Sequence, residues 1–241
     1  MTQIANRVTP SILKPARIPP LQNGDQLDRE EFERRWDAMP DLKKAELIEG
    51  TVYIAAALSH DFHSAPHFDL ISMLGVYRMS TPGVVGGDNG SIRLDPRNMP
   101  QPDIDLLILP THGGQSKIDA DGFIAGAPEF VVEIANTSAS YDLHQKLDVY
   151  RRHGVKEYIV WRTMDAVIDW MVLEAGQYQT APIPADGIIR SSVLPGLWLN
   201  TAGILQGDWP AVLQKVQAGI ASSEHAIFLE RLKRSAGDAV V

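Results

Sequence analysis

The stretch EFVVEIANTSASYDLHQKLDVYRRHGVKEYIVW, residues 129–161, decides the fold. Its ends, EFVVEIA and KEYIVW, are short apolar runs of strand length, and between them YDLHQKLDVYRRH has helical length and period. A strand, a helix and a second strand in close succession predict an α/β unit. Gly154 fits the residue just past the helix end, and Arg151, Arg152 and His153 fill the last turn, where positive charge suits the helix dipole. One carboxylate, Glu133, interrupts the first run. An unpaired buried carboxylate is costly, so Glu133 calls for a partner.

Working outward, QPDIDLLIL (Gln101–Leu109) reads as another strand, with Asp103 at its head. Side chains alternate along a strand, so Asp103, Asp105 and Leu107 share one face, as do Glu129, Val131 and Glu133. If these two strands are antiparallel neighbours, Asp103 and Glu133 come level at one sheet edge. Two carboxylates held close either share a proton or bind a cation, and oxygen ligands favour Mg²⁺ or Mn²⁺. Lys146 lies about one and a half turns into the helix after Glu133. From there an amine can orient an attacking water or stabilise charge developing on phosphorus. Ser138 or Ser140 can cap this helix, and its N-terminus would face the same edge, where a phosphate fits.

The rest of the chain extends this α/β reading. Residues 1–26 hold four prolines and no period, which predicts an extended arm. LDREEFERRWDAMPD predicts a helix capped by Asp28 and Glu31, with Phe32 and Trp36 on one face. AELIEGTVYIAAA predicts a hairpin around Glu49–Gly50. PHFDLISMLGVYRM spaces Phe68, Ile71, Leu74 and Tyr77 helically from Pro66. TPGVVGGDNG reads as turn chemistry, SIRL as a short strand, and PTHGGQSKIDADGFIAGAP as a long mobile loop. VIDWMVL reads as a strand, SSVLPGLWL as a final edge strand, and the segment from Trp209 as one C-terminal helix. The order predicts one α/β domain with a mixed sheet flanked by helices. Its expected boundaries are 1–26 for the arm, 27–205 for the domain and 206–241 for a C-terminal helical extension.

Composition excludes several function classes. The 241 residues include no cysteine, which removes disulfides, thiolate metal sites and a cysteine nucleophile. No apolar run approaches membrane-spanning length and the N-terminus is not a secretory signal, so a cytoplasmic protein without a membrane partner is expected. GxGxxG, GxxxxGK[ST] and GxSxG are all missing, so neither a nucleotide cofactor nor a serine-hydrolase elbow is expected. The net charge of −8 argues against a broad basic face for nucleic acid, though not against a local groove.

The ordered set ELIEG, QPDIDLLIL, GAPEFVVEI, DLHQKLDVYRRHGVKEYIVW and LPGLWL resembles the Uma-two family, within the PD-(D/E)xK restriction-endonuclease-like superfamily. The match runs from roughly Glu31 to Ile204. The resemblance implies a restriction-endonuclease-like sheet in which Asp103 and Glu133 bind Mg²⁺ or Mn²⁺ and DNA is the substrate. The superfamily's usual lysine position, two residues after the second acid, is Ala135 here. Relatives carry that lysine in the following helix, which matches Lys146. Glu46 in ELIEG matches a further acidic position that helps hold the metal, and His63 best matches a histidine that relatives carry before the second helix, where it would line the cleft or cap the helix. The polar turn after the second acid departs from the family's in detail, reading Asn136-Thr137-Ser138-Ala139. A homodimer is plausible, because cutting both strands needs two sites.

Each residue also has a structural reading. Asp103 can simply start a strand, Glu133 and Lys146 can form a structural ion pair, and Asp142 can pair with Lys146 at i,i+4. His60, His63 and His67 raise a zinc site, although Pro66 is expected to break the helix that would align them. Trp161, Trp170 and Trp198 are expected to pack rather than to stack on bases. Beside a metal-dependent DNA endonuclease stand two alternatives, a non-catalytic nucleic-acid-binding or assembly protein on the same fold and a hydrolase for small phosphate esters.

Overall fold

A computed structural model of the chain describes residues 18–55, 58–136 and 141–238. Residues 18–26 run along a β-hairpin and turn at Asn23–Gly24, with the Gly24 N–H donating to the Val52 carbonyl at 2.8 Å. Residues 1–17 of the expected arm lie outside the described residues, as do Ser138 and Ser140. Helix α1 (Arg29–Asp37) starts where Asp28 Oδ1 accepts from the Glu31 N–H, and its Phe32 and Trp36 rings meet edge to face. The hairpin of β1 (Ala45–Ile48) and β2 (Thr51–Ile54) turns at Glu49 and Gly50, both at positive φ, as a tight two-residue turn requires.

Helix α2 (Ala65–Met79) continues without a break from a wider π-type turn at His60–Ser64, with Pro66 in its first turn. The widened turn immediately before it accommodates a proline, which has no N–H to give and would clash in a regular helix interior. Two expectations for this helix need correction. Pro66 does not separate the histidines, since His63 and His67 lie one turn apart with ring centroids 5.8 Å apart. Its buried face is Leu70, Leu74 and Tyr77, whereas Phe68 points outward at 71% exposure.

Strands β3 (Val84–Asp88), β4 (Ile92–Arg93), β5 (Ile104–Ile108), β6 (Lys117–Ile118), β7 (Ile124–Ala125) and β8 (Phe130–Ala135) follow, then a second π-type turn, Asp142–Lys146, and helix α3 (Leu147–His153). The remaining strands are β9 (Glu157–Arg162), β10 (Val167–Glu174), β11 (Gln177–Thr180), β12 (Ile188–Arg190) and β13 (Trp198–Asn200). Three helices close the chain, α4 (Thr201–Gln206), α5 (Trp209–Ile220) and α6 (Ser223–Asp238).

The main sheet has six strands in the order β11-β10-β9-β8-β5-β3. Only β8 and β9 run parallel, joined across α3, and the other pairs are antiparallel. One face packs on Leu70, Leu74 and Tyr77 of α2 and on Val212, Val216, Phe228 and Leu232 of α5 and α6. The other face, through Val131, Tyr158 and Val160, packs on Tyr150 of α3 and on Val155. Trp161 and Trp170 are buried in the first of these layers.

Four readings differ from the sequence. VVGGD is an edge strand because Leu106 and Asp105 of β5 occupy the space that Cβ atoms at Gly86 and Gly87 would need. Glycine in this strand therefore marks close approach rather than a turn. The expected mobile loop carries β6 and β7, which join β4 in a three-stranded sheet. SSVLPGLWL closes a separate two-stranded pair, β12–β13, and does not extend the main sheet. The expected single C-terminal helix is two, α5 and α6, meeting at Ala221–Ser222.

Candidate active site

The register Ile104↔Val132 of the antiparallel β5–β8 pair sets Asp103 opposite Glu133 at one sheet end. Asp103 is 2% exposed, and its Oδ2 accepts from the Ile134 N–H at 2.8 Å. The same oxygen meets His63 Nε2 at 3.2 Å, while Oδ1 accepts from Lys44 Nζ at 2.9 Å. His67 Nε2 lies 3.0 Å from the Asp103 carbonyl oxygen. Burial opposes ionisation of Asp103, but hydrogen bonding to His63 and the Lys44 charge outweigh it, holding the carboxyl well below the usual carboxylate range. An ionised carboxylate only accepts, so His63 carries its proton on Nε2. His63 Nδ1 is buried and has no hydrogen-bond partner among the described residues.

Glu133 Oε1 accepts from Lys146 Nζ at 2.7 Å and from the Tyr150 hydroxyl at 3.3 Å. Lys146 Nζ also lies 2.8 Å from Glu46 Oε1 and 3.7 Å from Asp142 Oδ1. Glu46 reaches this edge because Leu47 and Met99 exchange backbone hydrogen bonds, tying β1 to the segment before β5. Its Oε1 accepts in addition from the Gln101 N–H at 2.7 Å. The π-type turns before α2 and α3 deliver His63 and Lys146 respectively. Such turns recur at functional sites.

The Lys146 side chain is 3% exposed. Burial disfavours its charge, yet Glu133, Glu46 and Asp142 together push it well above the ordinary lysine value. Burial raises Glu133 against the pull of Lys146, and Asp142, Asp103 and Glu46 raise it further. Lys146 is therefore a buried ammonium held among three carboxylates. The pairing with Glu133 and the i,i+4 approach to Asp142 are those of the structural reading, with Glu46 added.

These residues line one cleft of about 180 Å³. Asp103, Glu133, Glu46, His63 and Lys146, the five residues singled out from sequence, all line it, together with Lys44, Tyr141 and Asp142. Four carboxyl groups and two lysine amines line the cleft, and with all of them ionised the excess of two negative charges is what a divalent cation would balance. The donor set, mostly carboxylate oxygen, suits a hard ion. As the side chains stand, no three His, Asp or Glu residues among those described converge on one point, because the lysines hold the carboxylates. The same observation removes the zinc triad, and His60 points to solvent with its side chain 81% exposed.

Lys44 escapes a reading by sequence, since a lysine before a strand looks solvated. The available indication was alternation, which puts Lys44 on the same face as Glu46. Its other acceptor, Asn89 Oδ1 at 2.7 Å, sits at positive φ in the turn after β3.

Comparison with known proteins agrees with this architecture. A family model described as Uma2, putative restriction endonuclease, matches residues 29–202. A crystal structure of a putative nuclease belonging to DUF820 from Anabaena variabilis ATCC 29413 superimposes with a TM-score of 0.57 at 15% identity, covering 73% of this chain and 97% of that one. At that identity the likeness carries to the fold. No curated protein matches.

Proposed function

Because the chain belongs to the Uma2 putative restriction endonuclease family, we propose that it is a divalent-metal-dependent endonuclease hydrolysing phosphodiester bonds in DNA. The observation that carries this reading is the in-register pair Asp103 and Glu133, with Lys146 at 2.7 Å from Glu133, in one cleft. Asp103 and Glu133, with Glu46, would hold Mg²⁺ or Mn²⁺. Bound there, the ion would supply Lewis acidity at the phosphodiester and lower the pKa of water.

The chain's own groups do the rest. Lys146 holds Glu133 and Glu46 side by side, which keeps two acids together that would otherwise repel. The Ile134 amide and His63 fix the Asp103 carboxylate from the side of Oδ2. His63 Nδ1 is buried without a hydrogen-bond partner among the described residues, so the ring acts through Nε2 on Asp103. In the reaction the water oxygen bonds to phosphorus, one P–O ester bond breaks, and the proton passes to the leaving oxygen. Cutting both strands of a duplex requires two such clefts, which a homodimer would provide.

Asp103→Asn tests this. The wild type should nick supercoiled plasmid with Mn²⁺ or Mg²⁺, and the variant should not, at an unchanged circular dichroism spectrum. Retained cleavage by a clean preparation of the variant would remove Asp103 from the site. The net charge of −8 favours a second reading, a non-catalytic nucleic-acid-binding or assembly protein. Salt-sensitive retention on heparin without any cleavage by the wild type would support it.

A further inference from the structure

Two lysines share the cleft, and their surroundings differ. Lys146 Nζ faces Glu133, Glu46 and Asp142 at 2.7, 2.8 and 3.7 Å, and its side chain is 3% exposed. An ammonium has three protons to give. Lys146 donates to Glu133 and lies within ion-pair reach of Glu46 and Asp142, with its side chain almost wholly buried, so a phosphate could reach it only by displacing a carboxylate. Lys44 lines the same cleft from the position immediately before β1. Its side chain is 21% exposed, and it donates to Asp103 Oδ1 at 2.9 Å and to Asn89 Oδ1 at 2.7 Å. That leaves one proton without an acceptor among the described residues.

We propose that Lys44 is the lysine that contacts the scissile phosphate, and that Lys146 is a positioning residue which holds Glu133 and Glu46. The assignment rests on the nuclease reading and assigns the phosphate-binding part of its site. Lys44 lies against the same carboxylate that would hold the ion, so a phosphoryl oxygen entering beside Asp103 meets its free proton. Its charge stabilises the negative charge that grows on the non-bridging oxygens as water adds. Asn89 keeps the ammonium in place when Asp103 is otherwise engaged. The positive φ of 53° at Asn89 suits asparagine better than most residues, so the turn that holds Lys44 is itself specific.

The test compares Lys44→Met, Lys44→Arg and Lys146→Met with the wild type in two assays. One is plasmid cleavage at saturating Mn²⁺. The other is binding of inorganic phosphate, followed by isothermal titration in the absence of nucleic acid. Lys44→Met should lower the melting temperature less than Lys146→Met does, weaken phosphate binding at least tenfold and slow cleavage roughly 100- to 1000-fold. Lys44→Arg should recover part of both. Lys146→Met should lower the melting temperature, with phosphate affinity unchanged in the fraction that remains folded. Cleavage and phosphate affinity within twofold of the wild type in Lys44→Met would overturn the assignment while leaving the nuclease reading intact. Phosphate binding that depends on Lys44 in a wild type that never cleaves would reject the nuclease reading, and the scissile-phosphate assignment with it, leaving Lys44 as a phosphate-binding lysine. A wild type that neither binds phosphate nor cleaves would reject both.

Discussion

Strand β8 has a buried glutamate at each end, and the two are satisfied in different ways. Glu129, just before the strand, accepts from the Ile108 N–H at 2.8 Å and from the Gln115 N–H at 3.0 Å, one on each carboxylate oxygen. Both donors are backbone amides, fixed by the fold and unable to leave. Glu133, near the other end, is held by the side chains of Lys146 and Tyr150 and opens on a cleft lined by three more carboxylates. Burial is nearly equal, at 5% and 3% exposure. What separates a structural acid from a candidate catalytic one is therefore its partners. A carboxylate saturated by amides is a strut, whereas one balanced by a movable ammonium amid excess negative charge can exchange that partner for a cation.

The sharpest way to break this comparison is Lys146→Met. At the amide-held end there is no equivalent residue to remove, but here the change leaves Glu133, Glu46 and Asp142 buried without their shared cation. Breaking a buried ion pair from one side costs about 3–5 kcal/mol, measured by urea unfolding at pH 7. Protonation of Glu133 should limit the loss at low pH, because a neutral acid needs no cation. The double variant Lys146→Met with Glu133→Gln should regain part of the stability. A single-variant loss below about 1 kcal/mol would mean that the cluster is already open to water, and the contrast between the strand ends would fail.

Asp105 lies midway between the two ends, opposite Val131, and sharpens the comparison because burial dominates its surroundings and only the Gly87 amide opposes it. Neither of its carboxylate oxygens has a well-formed hydrogen bond among the described residues. Burial raises it to about 7, against a small lowering by the Gly87 amide. A raised folded-state pKa contributes stability that is complete below the unfolded value near 3.8 and is lost as pH rises through about 7. Asp105→Asn lacks that loss. The variant should therefore gain on the wild type between pH 4 and pH 7, by up to about 1.4 kcal/mol per unit and roughly 3–4 kcal/mol in all. Parallel pH series of unfolding curves would show it. A constant gap would place an unseen donor or water beside Asp105.

Much of this was legible in the sequence, for reasons that also explain the misses. The apolar runs of β8 and β9 around an amphipathic helix specify the central unit, and alternation fixed which acids share a face. The juxtaposition of Asp103 and Glu133 needed one further fact, that β5 and β8 are antiparallel, which no local pattern contains. β3 was missed because its glycines answer to side chains on β5, a tertiary demand that resembles turn chemistry. β6 and β7 are two residues each and have no period to read. Phe68 was placed inside because its spacing to Ile71 and Leu74 is helical, yet Leu70 fits the same face and is the one covered. Lys44 was missed because a single lysine says nothing of its surroundings until Asn89 and Asp103 are brought to it.

The smallest expected effect concerns the amide-held end itself. In Glu129→Gln one oxygen is retained and the other becomes an NH₂ group, which faces either the Ile108 or the Gln115 N–H with no acceptor between them. Losing one hydrogen bond and leaving a buried donor unsatisfied costs about 1–3 kcal/mol. The lost bond also tethers the end of β5 to the segment before β6, so the local loss should be visible as faster amide hydrogen exchange at Ile108 and Gln115. Cleavage and phosphate binding should not change, because Glu129 lies about 13 Å from Glu133 along the strand. A variant that lost stability and activity together would mean that the two ends of β8 are coupled through the strand. The glutamate at the quiet end would then belong to the site after all.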